Sequence, residues 1–459
     1  MNSYEQAAWQ ALEESMVYYQ NKPVGTIAAC DNDRNTLNYD QVFTRDFAVS
    51  AIAFMCRGDY DVVRNFLLVM VELQQTERHM DCFYPGKGMM PASFKVVEDS
   101  AGERLVGDFG EHAIGRVTPI DSGFWWIYVL YAYTRASGDT GLAQRKDVQH
   151  AICLILDLCL PSRHEMLPTL LVPDGAFMID RRLGVYGHPL EIQSLLHFAL
   201  RAAVFLLDDG SESSMVNAAR EREKHLAYHL RTYYWLDFKR LNHIYRYRVE
   251  EFGENVVNQF NIYPSDIPSW IFDWMPATGG YFAGNLGPGR MDYRFFAQGN
   301  LLAIMAGLAD AGQAQLLMQL YETNWDSLMG ATPVKLVFPA LEGRDWQIVT
   351  GSDPKNSAWS YHNGGNWPFL IWLFVAAALK CDRRDLAEQA LALTEAHVLS
   401  DNWPEYYDGR YGQLVGKEAK LRQTWSIAGY LAATGLMANP DALAALTFDT
   451  VSKTAACNA

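Results

Sequence analysis

Short turns rich in Gly, Asp and Asn recur through this chain of 459 residues, each at the end of an apolar helical segment. They lie at residues 57–61, 137–141, 208–213, 310–314, 381–385 and 438–442. Glycine ends helices because it adopts positive φ without strain, and Asp, Asn or Ser caps the start of the next helix. The recurrence predicts a repeat architecture made of helical hairpins.

The apolar segment before each turn predicts a helix that is buried on most of its surface. These predicted inner helices are Tyr39–Cys56, Ser122–Ala136, Pro189–Leu207, Asp292–Ala309, Trp367–Lys380 and Leu421–Met437. A more amphipathic helix follows each of the first five, and the N-terminal helix Ser3–Tyr19 is expected to be the outer partner of the sixth. The expected fold is therefore all-α, a closed ring of six helical hairpins. Because no Gly/Ser-rich linker interrupts it, a single domain over residues 1–459 is predicted.

Long loops precede all six predicted inner helices. They span roughly residues 21–38, 77–121, 161–188, 237–291, 330–366 and 401–420. In an up-and-down ring, loops with this placement emerge at the same end. Loops longer than about 15 residues are usually functional in compact domains, so the sequence predicts one site built by these loops.

Composition excludes several classes of function. The formal charge of −15 argues against a nucleic acid or an anionic membrane surface as partner. The apolar run Trp367–Leu379 is shorter than the about 20 residues that span a bilayer, and the first ten residues do not resemble a signal peptide. The 7 cysteines form no CxxC pair, and no phosphate-binding loop or zinc-protease motif occurs. A cytoplasmic protein without metal or cofactor is expected.

The segment "FMIDRRLGVYGHPLEIQ" carries charged residues between apolar ones. Asp180 follows an apolar run and precedes Arg181 and Arg182, so it is interpreted either as a rim ion pair or as a carboxyl with raised pKa that donates a proton. Glu191 lies in the first turn of a predicted helix, where it either compensates the helix dipole or belongs to the site.

The segment "DNWPEYYDGR" places Glu405 among aromatic side chains. Such surroundings suit a sugar, whose apolar faces stack on rings while its hydroxyls bond to charged acceptors. The alternative is a surface turn at Asp408-Gly409 with exposed tyrosines. The two acidic residues, Asp180 and Glu405, are the candidate acid and base.

Three further clusters precede predicted inner helices. Arg45 and Asp46 begin the first of these helices, where buried charges require a partner or a ligand. Asp121 precedes the second helix and Trp126 lies in it, although capping and core packing would also explain these two residues. In "YHNGGNW", the glycines allow the backbone to approach a ligand closely. That motif supplies His362, Asn363 and Trp367.

Taken together, these segments resemble the alkaline/neutral invertases, a glycoside hydrolase family of plants and cyanobacteria. The resemblance covers about residues 38 to 437. It rests on "NYDQVFTRDF", "MPASFKV", "DFGEHAIGRVTPIDSGFWW", "MIDRRLGVYGHPLEIQ", "YWLDFKRLNHIYRYRVEE", "MPATGGYFAGNLGPGRMDYRFFAQGN", "VTGSDPKNSAWSYHNGGNWP", "DNWPEYYDGRYG" and "QTWSIAGYL". It implies an (α/α)6 barrel, with Asp180 as general acid and Glu405 as general base. The residues expected to bind substrate are Arg45, Asp46, Asp121, Trp126, Glu191, Arg294, His362, Asn363, Trp367, Gln423 and Trp425.

The implied activity is hydrolysis of sucrose to glucose and fructose with inversion at the glucosyl anomeric carbon. Two other classes of function remain open at this point. Sugar epimerases and isomerases also use helical barrels, and a helical scaffold or sugar sensor would bind without turnover. The sequence is compatible with a homo-oligomer and does not define one.

Overall fold

The fold is taken from a computed structural model of the chain. It describes residues 3–30, 38–77, 86–100, 102–112, 117–160, 167–179, 181–208, 210, 213–242, 267–287, 290–415 and 419–450. Asp180, the predicted general acid, lies outside the described residues, and so do residues 209, 211 and 212 of the predicted turn at 208–213. No helix within the described ranges has the length and apolar character that crossing a membrane requires.

Six helices in the described part of the chain form a closed inner ring, which confirms the prediction of a helical barrel. They are α2 (Thr44–Arg57), α4 (Ser122–Ser137), α6 (Leu190–Leu206), α8 (Ala297–Met305), α10 (Ile371–Lys380) and α12 (Thr424–Ala438). Each packs on the next in chain order, and α12 packs on α2. These helices are apolar on nearly all sides because both their faces are covered. In α6, every residue from Leu190 to Leu200 is buried.

Amphipathic helices cover the outside of this ring. They are α1 (Ser3–Glu14), α3 (Tyr60–Leu73), α5 (Lys146–Cys159), α7 (Ser213–His229), α9 (Ala311–Thr323) and α11 (Arg384–His397). As predicted, α1 packs on α12, and α3, α7 and α11 pack on inner helices. Tyr321 of α9 contacts Phe374 of α10 with ring centroids 4.9 Å apart.

The predicted turns between helices have the expected geometry. Gly58 and Gly138 end α2 and α4 with φ of 90° and 74°, a conformation that residues with a Cβ rarely adopt. Asp310 begins α9 with a capping box, in which its side chain accepts the Gln313 N–H and Gln313 bonds back. Local sequence therefore ends and restarts these helices as predicted.

Small antiparallel sheets in the loops are a departure from the all-α expectation. One hairpin pairs β1 (Met16–Tyr19) with β2 (Lys22–Thr26). A second sheet has the order β3 (Val42–Phe43), β4 (Ser93–Asp99) and β5 (Gly102–Asp108). A third has the order β10 (Val337–Phe338), β9 (Arg290–Phe296), β8 (Tyr281–Gly287) and β6 (His188–Pro189), and β7 (Trp235–Leu236) also pairs with β8.

These strands correct three predicted helix boundaries. Residues 292–296 belong to β9 and not to a helix, because they pair with β8 on one side and β10 on the other. The N-terminal helix ends at Glu14 and continues into β1, and the helix predicted from Tyr39 begins at Thr44 after β3. In each case sheet pairing replaces helix at the end nearest a loop.

Several short helices and turns lie in the chain between the helices of the inner and outer rings or after the last of them. They are Thr140–Ala143, Trp270–Trp274, Trp325–Leu328 and Gly343–Thr350, with 3-10 turns at Arg181–Leu183, Pro368–Leu370 and Pro440–Ala445 and a π-helical turn at Leu230–Tyr234.

The C-terminal segment covers the end of the ring where the inner helices terminate. The Phe448 ring lies 4.5 Å from Tyr131 and 4.9 Å from Phe198, centroid to centroid. The Tyr128 hydroxyl donates to the Leu446 carbonyl at 2.9 Å. This end of the barrel, called the closed end below, is filled by side chains.

Candidate active site

A cavity of about 280 Å³ lies at the opposite end, where the inner helices begin. Its volume is near the lower end of the range for small-molecule sites, roughly 300 Å³ and above. The residues that line it are Ala28, Asn38, Tyr39, Phe43, Arg45, Asp46, Ala92, Pro119, Asp121, Ser122, Met178, Lys355, Tyr361, His362, Trp367, Glu405, Gln423 and Trp425. Each lies before an inner helix or in the first turn of one.

The predicted loops contribute unequally to this cavity. Lining residues come from the first, second, third, fifth and sixth loops. The described part of the fourth loop supplies none of them, and its residues 243–266 lie outside the described chain.

An ion pair joins the first two inner helices at the cavity wall. Arg45 Nε lies 2.5 Å from Asp121 Oδ2, and the Asp121 side chain is 1% exposed. Asp121 occupies the N-cap position of α4 but makes no side-chain capping hydrogen bond. Its carboxylate is therefore used by Arg45, and capping does not explain it.

Two further carboxyls surround Arg45, so acidic groups outnumber the guanidinium. Burial raises the pKa of Asp46 to about 7 although Arg45 opposes the shift. The carboxylates of Glu405 and Asp121 raise the pKa of Asp46 further. Burial likewise raises the pKa of Glu191 to about 8 against the influence of Arg45. One cation cannot stabilise all these anions in a low-dielectric site, and protonation relieves the excess.

Glu405 is held in one orientation by Tyr39. The Tyr39 hydroxyl donates to Glu405 Oε1 at 2.9 Å, and the backbone N–H of Glu405 donates to the Lys420 carbonyl at 2.8 Å. Burial raises the pKa of Glu405, while Lys355 and the Tyr39 hydrogen bond lower it. Within the described structure, Glu405 Oε2 is buried and accepts no hydrogen bond. One oxygen of this carboxyl is therefore committed to the protein and the other is available to a ligand.

Aromatic side chains form the other wall of the cavity. Tyr361 stacks on His362 with centroids 3.9 Å apart, and His362 lies 5.1 Å from Trp367. Trp425 stacks on Phe369 at 4.0 Å. Gln423 Oε1 and Trp425 Nε1 are buried without a hydrogen-bond partner among the described residues. Because both residues line the cavity, these atoms are available to a polar ligand there.

Backbone strain is concentrated in the two segments that carry these residues. Trp359 and Tyr361 in the fifth loop have φ of 66° and 49°. Asn402 and Trp403 in the sixth loop have φ of 60° and 55°, and Arg422, just after it, has φ of 50°. Positive φ is unfavourable for residues with a Cβ and persists where surrounding contacts hold it, often at functional sites.

The cavity brings together eight of the residues predicted from sequence. These are Arg45, Asp46, Asp121, His362, Trp367, Glu405, Gln423 and Trp425. Four others are not among its lining residues. Trp126 is fully buried and its indole N–H donates to the Leu67 carbonyl, as the core-packing alternative expected. Asn363 is fully buried and bonds to the backbone of Leu341.

The remaining two, Arg294 and Glu191, form hydrogen bonds with the backbone of the third loop. Arg294 pairs with Asp292 at 2.5 Å and donates to the Leu183 carbonyl at 3.1 Å. Glu191 Oε1 accepts the Met178 N–H at 3.0 Å. Their contacts flank Asp180 in sequence.

Sequence reasoning missed Tyr39 and Lys355 as cavity residues. Tyr39 was predicted as the first residue of a helix, and Lys355 was not singled out within its polar loop. Lys355 Nζ lies 3.9 Å from the centroid of the Tyr361 ring. A sequence signal was present for both residues, since Tyr39 lies in "NYDQVFTRDF" and Lys355 in "VTGSDPKNSAWSYHNGGNWP".

Comparisons with known proteins agree with this architecture. A family model described as alkaline and neutral invertase matches residues 8–440. The chain belongs to this family of glycoside hydrolases. It is 51% identical to probable alkaline/neutral invertase D of Arabidopsis thaliana, over 96% of this chain and 84% of that protein. It is also 51% identical to cytosolic invertase 1 of Oryza sativa subsp. japonica, over 96% of this chain and 79% of the relative.

Solved structures extend the comparison to the fold. A bacterial glucoamylase complexed with acarbose matches 96% of this chain and 57% of its own, with a TM-score of 0.58 and 13% identity. At that identity the likeness establishes the shared helical-barrel fold alone. Among the described residues, no group of three or more His, Cys, Asp or Glu side chains is placed to hold a metal ion.

Proposed function

We propose that this member of the invertase family hydrolyses sucrose to glucose and fructose with inversion at the glucosyl anomeric carbon. The observation that carries the proposal is the state of Glu405. Its Oε1 is fixed by Tyr39, and its Oε2 is buried at a cavity wall without a partner among the described residues. A carboxylate with one fixed and one available oxygen suits a general base that activates water.

Asp180 is proposed as the general acid on the strength of the motif "MIDRR". The residues immediately before it, Met178 and Ile179, are each 1% exposed, and Met178 lines the cavity. Apolar neighbours favour the protonated form of a carboxyl. Inversion further requires the two carboxyl groups to be about 6.5–9.5 Å apart, which leaves space for one water.

The proposed step is balanced between these two groups. Asp180 gives its proton to the glycosidic oxygen. The bond between that oxygen and the glucosyl anomeric carbon breaks, and fructose leaves. A water oxygen attacks the anomeric carbon from the opposite face, and Glu405 takes the proton of that water. We propose that the Arg45–Asp121 pair and Asp46 bind glucose hydroxyls and that the aromatic wall covers the ring.

Proton NMR during turnover tests both the activity and its stereochemistry. Sucrose is an α-glucoside, so the first glucose released is expected to be the β anomer. Release of α-glucose would exclude the inverting mechanism. A rearranged free sugar, or binding without turnover, would instead support the isomerase or the sensor.

The variant Asp180→Asn tests the acid. We expect its turnover of sucrose to fall by about 10²–10⁴-fold, the usual contribution of general acid catalysis. α-Glucosyl fluoride is the matched substrate, because fluoride leaves without protonation, and its hydrolysis should be retained. A near-normal rate with sucrose would remove Asp180 from the mechanism.

Several wider expectations accompany this proposal. We propose that the six-hairpin (α/α)6 arrangement describes residues 1–459 as one domain. A cytoplasmic location stays a prediction, since the relatives include a cytosolic invertase and others named chloroplastic or mitochondrial. Whether the chain forms a homo-oligomer also stays open to measurement.

A further inference from the structure

Asp353 is a buried carboxylate that joins two loops and does not line the cavity. It follows the short helix Gly343–Thr350 in the fifth loop and is 9% exposed. Its Oδ2 lies 2.9 Å from Arg182 Nη1 and accepts a hydrogen bond from Asn356 Nδ2 at 2.8 Å. Its Oδ1 accepts the backbone N–H of Lys355 at 3.1 Å.

On one side, Asp353 contacts the turn that immediately follows Asp180. Arg182 belongs to the 3-10 turn Arg181–Leu183, and helix Gly343–Thr350 packs on that turn. Arg294 also contacts this turn, because its guanidinium donates to the Leu183 carbonyl. The segment after Asp180 is thus fixed by two charged contacts from other loops.

On the other side, Asp353 fixes residues that lead to the aromatic wall. Lys355, whose N–H it accepts, lines the cavity and lies over the Tyr361 ring. Asn356, which donates to Asp353, also connects to the "YHNGGNW" segment, since its carbonyl accepts a hydrogen bond from Asn363 Nδ2 at 3.1 Å. The Asp353 side chain therefore links the third loop to the fifth and constrains their relative position.

The ion pair itself contributes little to stability. The Arg182 side chain is 49% exposed, and solvent weakens a pair with such a partner. Its geometric effect is larger, because a general acid displaced by about 1 Å can lose as much as 10²-fold in rate.

We propose that Asp353 is a positioning residue, which through Arg182 sets the third-loop turn and with it the proton donor at position 180. This inference rests on the proposed function. It predicts a selective defect, in which reactions that need leaving-group protonation slow down and those that do not are spared.

The test compares Arg182→Gln, Asp353→Asn and the double variant with sucrose and with α-glucosyl fluoride. We expect kcat for sucrose to fall about tenfold in Arg182→Gln. The rate with the fluoride should change less than about twofold. The double variant should be no slower with sucrose than the slower single variant, because both substitutions remove one interaction.

A matched control is Glu322→Gln in the last turn of α9, which does not line the cavity. It removes an ion pair of similar length, 3.0 Å, between Glu322 and Arg383, and both substrates should be turned over normally. Equal losses with sucrose and fluoride, or no loss in Arg182→Gln, would overturn the positioning role. A wild-type protein inactive on both substrates would remove the proposed function and this inference with it.

Discussion

The two ends of the barrel both contain charged side chains that are at least partly buried, but they use them differently. At the closed end, three cations meet the carbonyls at the C-terminal end of α8. Arg201 donates to the Ala306 carbonyl, Arg231 to those of Gly307 and Leu308, and Lys380 to those of Ile304 and Met305. The cations thus lie at the negative end of the helix dipole, where they are stabilising.

At the cavity end, the carboxyl oxygens in the described part of the chain are not all paired with a cation or a donor. Arg45 faces several carboxyls, and the pKa values of Asp46 and Glu191 rise as a result of burial. Glu405 Oε2 and Gln423 Oε1 are buried without partners among the described residues.

The comparison teaches that burial of a charge does not identify a functional site. Unpaired polar atoms alone do not identify one either, since His197 also has such an atom away from the cavity within the described structure. The cavity end differs in that burial raises the pKa of its carboxyls, Asp46, Glu191 and Glu405, and such groups are typical of functional sites. The following predictions separate the two ends, in order of decreasing effect.

Glu405→Gln should strongly reduce activity without loss of stability. The amide cannot accept a proton from water, so turnover of sucrose is expected to fall by about 10²–10⁴-fold. Because a buried neutral group replaces an ionisable one, the midpoint of thermal unfolding should be unchanged or higher. Calorimetry with glucose provides the control for an intact pocket, and turnover near that of the wild type would contradict the assignment.

Lys380→Met should give the opposite result. The carbonyls of Ile304 and Met305 lose their shared donor, so the free energy of unfolding is expected to fall by about 1–3 kcal/mol. Denaturant titration measures this loss. The kcat/KM of the folded protein should match the wild type, and a loss of activity at unchanged stability would show that the ends are not separable.

Tyr39→Phe should reduce kcat about tenfold, the effect of losing one hydrogen bond to a charged group. KM should change little, because the ring remains at the cavity wall. The Tyr39 hydrogen bond lowers the pKa of Glu405, so its removal raises that pKa and moves the acid limb of the pH–rate profile to higher pH. An unchanged acid limb would show that Tyr39 does not act on Glu405.

Glu191→Gln should alter the pH dependence of stability. Burial raises the pKa of Glu191 from 4.5 to about 8, so between these values the native protein keeps a proton that the unfolded chain releases. The free energy of unfolding of the wild type therefore falls with pH across this window, by at most about 1.4 kcal/mol per pH unit from this group. The variant should lose that slope.

Denaturant titrations across the window measure the difference. Glu388→Gln is the control, since Glu388 is an exposed residue paired with Arg384 on α11 and should leave the slope unchanged. Parallel pH profiles for wild type and Glu191→Gln would show that Glu191 is ionised in the native state.

Much of the fold could be predicted from local sequence. The turns that end α2 and α4 and begin α9 depend on glycine or a capping Asp, which are local effects. The buried character of the inner helices follows from their composition alone. The strands β3 and β9 could not be predicted in this way, because their partners β4 and β8 lie in long loops and short apolar runs fit either structure.

The candidate site shows the same division. Motifs identified Asp180, Glu405 and the Arg45-Asp46 pair as residues of unusual type for their surroundings. Their partners depend on contacts between distant segments: Tyr39 reaches Glu405 across 366 positions, and Arg45 reaches Asp121 across 76. Sequence thus singled out the residues that are proposed to carry the chemistry, through motifs and local composition. Only the closed ring decided which oxygen of each carboxyl is occupied, since that depends on side chains brought together by packing.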